Sequence, residues 1–239
     1  MSQTLETTHS LKRTTRTRAL LALLLIAPAP SIGALMMFVT HKGEPIGQTA
    51  YALGKAWLYL FPVVWLLLVE RGRLRLSRPA RGGFAVAALL GILISAAIWA
   101  VWLLYARDHI DATAIREVSE KNGLNVAWKY IAACAWLAVV NAALEEYVFR
   151  WFIFRQCEKL LPGMVAVALS ALLFTVHHVI VLKAYFDWPM TLLASFGVFM
   201  GGAIWSWCYL RYRSIWPGYL SHVIVDIAIF AIGWQLIYS

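Results

Sequence analysis

Charge is scarce in this chain of 239 residues. Asp, Glu, Lys and Arg make up 14% of it, against 62% hydrophobic residues and a mean hydropathy of +0.70. A soluble domain carries about 25% charged residues, so the composition excludes an ordinary soluble fold. Cysteine is scarce too. Cys134, Cys157 and Cys208 lie in or beside apolar runs without paired spacing, which excludes a disulfide framework and a cysteine zinc site. They fit best as small packing residues. No His-Glu-x-x-His run occurs, and no internal repeat or low-complexity tract is evident. Acids are the rarer sign, 12 against 21 basic residues, for a formal charge of +9. That excess would suit a nucleic-acid binder. Its distribution excludes one, because the basic residues collect in short segments between apolar runs, as in a membrane protein.

What the chain does have is long apolar runs. A membrane helix needs roughly 20 apolar residues. Seven segments qualify: 19–39, 49–69, 84–105, 127–150, 162–182, 189–210 and 215–237. The expected fold is all-α, a polytopic membrane helical bundle of about seven transmembrane helices. The first run holds Pro28 and Pro30 and should kink. Its basic lead-in and the small residues near Ala29 resemble a signal peptide, but apolar sequence continues through Leu35-Met36-Met37-Phe38-Val39, which favours a retained helix.

Lys and Arg divide unequally between the two ends of these spans. One side receives Lys12, Arg13, Arg16, Arg18, Arg71, Arg73, Arg75, Arg78, Arg81, Arg150, Arg155, Lys159, Arg211 and Arg213, fourteen in all. The other receives seven: Lys42, Lys55, Arg107, Arg116, Lys121, Lys129 and Lys183. This bias places the N-terminus in the cytoplasm and the C-terminus outside, in a multi-pass membrane protein of the bacterial inner-membrane kind. The segment from Asp108 to Lys121 mixes both signs and reads as an external loop or surface helix. Residues 1–18 form a basic cytoplasmic tail, 19–126 the N-terminal membrane helices with the external loop, and 127–239 the remaining helices. The twelve tryptophans fit interfacial belts.

Against this background three clusters of ionisable residues stand out, because charge at membrane depth is expensive and marks function by default. The first is Glu145-Glu146-Tyr147-Val148-Phe149-Arg150. Successive helical side chains point about 100° apart, so the two glutamates cannot face one small site in the same way. Glu146 and Arg150 are four apart in the favourable order for an ion pair. Glu145 is then left to face a cavity. Read blandly, all three are interfacial charges that snorkel. The second cluster is Phe174-Thr175-Val176-His177-His178, where Phe174 shares a face with His178 and His177 points elsewhere. The third is His222-Val223-Ile224-Val225-Asp226, a pair four apart that could simply satisfy itself. Convergence of the three helices would bring together a carboxylate, one or two imidazoles and a further carboxyl.

Glu145-Glu146-x-x-x-Arg150, Phe174-x-x-x-His178 and His222-x-x-x-Asp226 resemble, in order, the three motifs of the CPBP family, also called the CAAX protease or Abi family. Its members are glutamate-type intramembrane endopeptidases, including the eukaryotic Ras-converting CAAX endopeptidase and bacterial proteins tied to bacteriocin self-immunity. The motifs cover Glu145 to Asp226. The N-terminal 120 residues carry none of them. The resemblance implies that Glu145 is the catalytic glutamate and that His178 helps it activate a water. His222 and Asp226 would form the oxyanion site, with Glu146, Arg150 and Phe174 supporting. No cofactor or metal is implied, no nucleic acid, and no Ser or Cys nucleophile. The partners would be the bilayer and a membrane-associated protein or peptide, cleaved near its membrane-proximal C-terminal region. A buried glutamate is a plausible base for water, and donors would stabilise the oxyanion.

Many members of the family carry Asn where this chain has Asp226. An amide can donate to an oxyanion and an ionised carboxylate cannot, which points to Asp226 orienting His222 and keeping it charged. Depth raises a second difficulty. Glu145 and His222 sit toward the cytoplasmic half, whereas His178 lies about 24 Å from Pro162 at 1.5 Å per residue. Two competing readings remain: a zinc protease using Glu145, His178 and His222, and a non-enzymatic immunity, interaction or carrier protein. A carrier lacks support, since no repeated half or pair of interrupted helices is evident.

Overall fold

The computed structural model describes residues 2–74, 78–79 and 81–239, with side chains from residue 14 onward. Of the cations used above to orient the chain, Arg75 and the side chains of Lys12 and Arg13 lie outside the described residues. Within them every regular element is helical. In chain order these are α1 (Thr14–Thr40), α2 (Pro45–Val69), α3 (Phe84–Leu104), α4 (Ala112–Lys121), α5 (Ala127–Leu160), α6 (Gly163–Lys183), α7 (Trp188–Tyr212) and α8 (Ile215–Tyr238). All but α4 are long and apolar enough to cross a membrane, so seven spans are found among the described residues. Only helices and closed barrels satisfy every backbone group without water.

The proline pair acts as its chemistry dictates. The first span breaks at Ala27, and Pro28 starts the next helical segment, where its missing N–H costs nothing. Below the break, Ala22, Leu23 and Ile26 pack into the core with Leu58 and Phe61 of α2 and Phe149 and Phe152 of α5. The segment that mixes both charge signs contains α4. Asp111 caps it by accepting from the Thr113 and Ala114 amides at 2.9 and 3.2 Å, and Arg116 donates to the Leu236 carbonyl at the end of α8.

Helix α5 is central, touching α2, α6, α7 and α8. It runs ten residues beyond the end expected at 150, to Leu160. Polar side chains in its last turns ended the apolar run in the sequence, but they are satisfied at the end of the bundle. Gln156 and Lys159 both donate to Glu70 at the end of α2, at 2.9 and 2.7 Å, and Arg213 donates to Glu158 at 2.7 Å. The longer helix removes the depth difficulty. Glu145 lies fifteen residues before Leu160 and His178 fifteen after Gly163, roughly 22 Å from the shared turn at 1.5 Å per residue. Antiparallel neighbours therefore hold them at one level. By the same count Trp205 and His222 lie seven residues either side of the α7–α8 turn. On the far face Gly91 lets α3 meet α8 closely, since a Cβ there would stand 3.1 Å from the Ser221 Cα.

Glu70 ties α2 to α5. Burial pushes its carboxyl up, but the hydrogen bonds from Lys159 and Gln156 outweigh burial and hold it below the ordinary carboxylate range. A depressed native value stabilises the fold above the unfolded value of about 4.3 and is lost as pH falls below it. Thermal unfolding of the detergent-solubilised protein should therefore weaken from about pH 5 downward. Glu70→Gln should lower the melting temperature at pH 7 and flatten that acid limb; an unchanged limb would remove Glu70 from its cause.

Candidate active site

Four helices bring the ionisable residues together, and the imidazole of His222 stands between them. Its Nδ1 lies 3.2 Å from Glu146 Oε1. Its Nε2 lies 3.8 Å from Glu145 Oε2 and 3.7 Å from Asp226 Oδ1. Because a carboxylate only accepts, Nδ1 donates its proton to Glu146. The two longer contacts are beyond hydrogen-bond range and become ion pairs when the ring is protonated. The ring stacks on Trp205 at 3.8 Å and 17°, and the Trp205 indole is itself fixed by donating to Ser221 Oγ at 3.1 Å.

This corrects two sequence expectations. The first is that the two glutamates cannot face one small site in the same way; the Glu146–Arg150 pair expected with it is found. Glu146 does lie 3.2 Å from Arg150 Nη1, yet both glutamates also address the same imidazole, one at each nitrogen. The 100° rule assumes an unbroken α-helix. Here α5 is wound with wider i→i+5 turns over Leu137–Asn141 and Glu146–Phe154, and a wider turn lets successive side chains diverge less. The second expectation had Asp226 orient His222. The hydrogen bond goes to Glu146, and Asp226 stands at the opposite nitrogen, its side chain 17% exposed.

Arg150 is fully buried. None of its nitrogens makes a well-directed hydrogen bond. Its guanidinium lies over the rings of Phe174 at 4.6 Å and Trp205 at 5.1 Å, which supply cation–π attraction beside the ion pair. Gly218 of α8 makes room for the other oxygen of Glu146; a Cβ there would stand 2.7 Å from Oε2. No motif or spacing marked Trp205, whose role departs from an interfacial belt.

The Phe174 ring that covers Arg150 also packs on His178, 4.5 Å between centroids. His178 Nδ1 lies 2.8 Å from the Phe174 carbonyl. A carbonyl only accepts, so Nδ1 carries the proton and Nε2 of the neutral ring is left as an acceptor. His177 faces away, stacked on Phe149 at 5.7 Å.

Glu145 has one well-made hydrogen bond, from Asn141 Nδ2 to Oε1 at 2.8 Å. The other side of that amide faces α2. Asn141 Oδ1 lies 3.4 Å from Lys55 Nζ and 3.2 Å from Tyr59 Oη. Lys55, Tyr59 and Asn141 were missed as site residues. Lys55 was counted with the outer cations, although it falls inside the span 49–69, and an ionisable residue at that depth was the available signal. Glu145 is nearly buried, while Lys55, Asn141, His178 and Asp226 are all partly exposed. Among the described residues no three His, Cys, Asp or Glu side chains are grouped so as to hold a metal ion.

Residues 127–228 match the family model for Rce1-like type II CAAX prenyl endopeptidases. Over that segment the chain is similar to CAAX-type endopeptidases. The matched segment covers α5 to α7 and most of α8, holding all three motifs, and it indicates a protease of the CAAX type. Helices α1 to α4 lie outside the match. No curated protein and no solved structure matches it.

Arg150 offers a test of the architecture. Arg150→Met strands a buried Glu146 and should cost about 3–5 kcal/mol of stability. Adding Glu146→Gln should restore much of it, read by thermal unfolding in detergent. A double variant no better than the single would show that the pair is not the source of the loss.

Proposed function

We propose that this protein is a glutamate-type intramembrane endopeptidase that hydrolyses a peptide bond near the membrane-proximal C-terminal region of its substrate. The observation that carries the reading is the pairing of Glu145 with His178 at one level of the bundle, each held by a fixed partner. Asn141 donates to one oxygen of Glu145, and the Phe174 carbonyl holds the His178 tautomer that leaves Nε2 open. In this scheme a water between them gives a proton to Glu145, with His178 Nε2 accepting its other hydrogen. The oxygen attacks the scissile carbonyl carbon. His222, as imidazolium, donates from Nε2 to the oxyanion. Collapse breaks the C–N bond, and Glu145 returns its proton to the leaving amine.

Glu146 is then a positioning residue, orienting His222 and neutralising Arg150. Asp226 faces the protonated ring as a counter-ion. The catalytic unit is taken as 127–239, with α2 contributing at its edge. We also place the N-terminus in the cytoplasm. Support comes from the cation bias, which stands at 13 to 6 once the interior Arg150 and Lys55 are each taken from their side's count.

Purified protein and candidate membrane-anchored peptides, analysed for new termini by mass spectrometry, provide the test. Glu145→Gln and His178→Ala should each lower turnover by at least 10²-fold without loss of folding, and activity should survive tight zinc chelators. Cleavage retained in Glu145→Gln would reject the glutamate mechanism, and loss with chelator would favour the zinc reading. Biological output unchanged in both folded variants would favour a non-enzymatic role. Asp226→Asn should lower turnover about tenfold, the loss of one ionic contact. Full activity in that variant would assign Asp226 to hydrogen-bond donation instead.

A further inference from the structure

A cleft between α2 and α5 lies apart from the candidate active site, at the end of the bundle that carries most of its cations. Its volume is about 270 Å³, and it is lined by Leu66, Glu70, Gly72, Arg73, Trp151 and Arg155. The turn after α2 folds back on its own helix. Arg71 takes the left-handed conformation with φ 52°, and the Gly72 amide donates to the Leu66 carbonyl at 2.9 Å. A Cβ at Gly72 would stand 2.5 Å from Leu66 Cδ1, so glycine allows this close return and brings Arg73 beside α5. Both arginines of the cleft lack a polar protein partner. Among the described residues neither has an acid within 4 Å or a hydrogen bond. The acid in the cleft is engaged elsewhere, since Glu70 accepts from Lys159 at 2.7 Å and Gln156 at 2.9 Å. Arg155 lies over the Trp151 ring at 5.7 Å. Trp151 stacks on Tyr147 at 5.3 Å and 22°, and the Tyr147 hydroxyl donates to the Tyr59 carbonyl of α2 at 3.2 Å. The guanidinium is thus held by its face, which leaves its N–H donors open.

We infer that this cleft binds the phosphate of an anionic phospholipid headgroup, with Arg73 and Arg155 as its donors. The fork of a guanidinium matches the oxygens of a phosphate. Arg73, Arg155 and Lys159 face the single acid Glu70, so the cleft has room for negative charge. Basic pockets between membrane helices on the cation-rich side suit anionic headgroups, and a tryptophan at that level suits the membrane–water boundary. The walls argue for lipid over a free phosphate ion. Leu66 and Trp151 are apolar, and Leu67 and Leu68 beside Leu66 face outward, 45% and 72% exposed. A lipid places its phosphate in the cleft and its acyl chains along that surface, whereas an inorganic phosphate would leave the apolar wall unused. A headgroup held here spans α2 and α5 next to the Glu70 contacts. Lipid therefore reinforces the joint that lets α5 run on to Leu160.

Phosphatidylglycerol and phosphatidylcholine with identical acyl chains are the probes, and native mass spectrometry of the full-length protein in detergent reads the lipid retained. Phosphatidylglycerol should bind at least tenfold more tightly than phosphatidylcholine. Arg73→Gln and Arg155→Gln should each weaken it about tenfold, the loss of one charge-assisted hydrogen bond. Arg81→Gln, a cation of the same side that does not line the cleft, should change nothing. Phosphatidylglycerol should also raise the melting temperature of the wild type more than that of Arg155→Gln. Thermal unfolding without lipid checks that each variant is folded, and Arg73 lies exposed in a turn, where substitution leaves the bundle intact. Equal retention of the two lipids overturns the proposal. So does a loss in Arg81→Gln equal to that in the cleft variants, which would mean a diffuse surface field. Displacement of the lipid by soluble glycerophosphate at millimolar concentration would make this a free-phosphate site and overturn the lipid assignment. None of these readouts needs peptide cleavage, so the outcome is separate from that of the protease reading.

Discussion

The hydrogen bond from His222 to Glu146 fixes more of this molecule than any other single contact. It sets which nitrogen of the imidazole is committed and which is left toward Glu145 and Asp226. Everything that holds Glu146 therefore holds the site: Arg150 at the next turn, the two aromatic faces over Arg150, and the bare backbone at Gly218 that admits the carboxylate. Buried ion pairs add little stability when compared with apolar replacements. Their presence here is better understood as positioning, because an apolar substitute could pack α5 against α8 but could not orient an imidazole.

Within each of two antiparallel helix pairs the groups stand at a matching distance from the connecting turn. Glu145 and His178 are equidistant from the α5–α6 turn, and Trp205 and His222 from the α7–α8 turn. The first pair matches only because α5 continues past its apolar run. Glu70, far from the chemistry, satisfies the polar end that makes the continuation possible. Stability at one end of the bundle is thus linked to alignment in the middle of it.

Much of this was legible in the sequence, and the parts that were not share a cause. Seven spans follow from apolar runs of membrane length. The contacts of Glu146 with Arg150 and of Phe174 with His178 follow from four-residue spacing within one helix. What spacing cannot encode is a contact between helices or a change in the helical period. The meeting of both glutamates at His222 depends on both. Its π-wound stretch over Glu146–Phe154 leaves no mark in the residue types, since the same side chains would suit an ordinary helix. Trp205 was hidden among twelve tryptophans with no spacing to set it apart. Lys55 was visible as a lysine inside a span, but reading it as a loop cation satisfied the orientation rule just as well.

Charge bookkeeping explains why Asn141 is the residue between Lys55 and Glu145. With His222 protonated, the acids Glu145, Glu146 and Asp226 are matched by Arg150, Lys55 and His222, so the unliganded site is formally neutral. In a low-dielectric setting Lys55 and Glu145 would collapse into a direct pair if nothing intervened. Such a pair would leave neither group available to another partner. Asparagine prevents this because its amide offers a donor to the carboxylate and an acceptor to the ammonium at once. An aspartate would repel Glu145, a leucine would strand both charges, and a serine would have a single oxygen for two partners. The neutral spacer thus keeps two opposite charges close and reactive without letting them cancel.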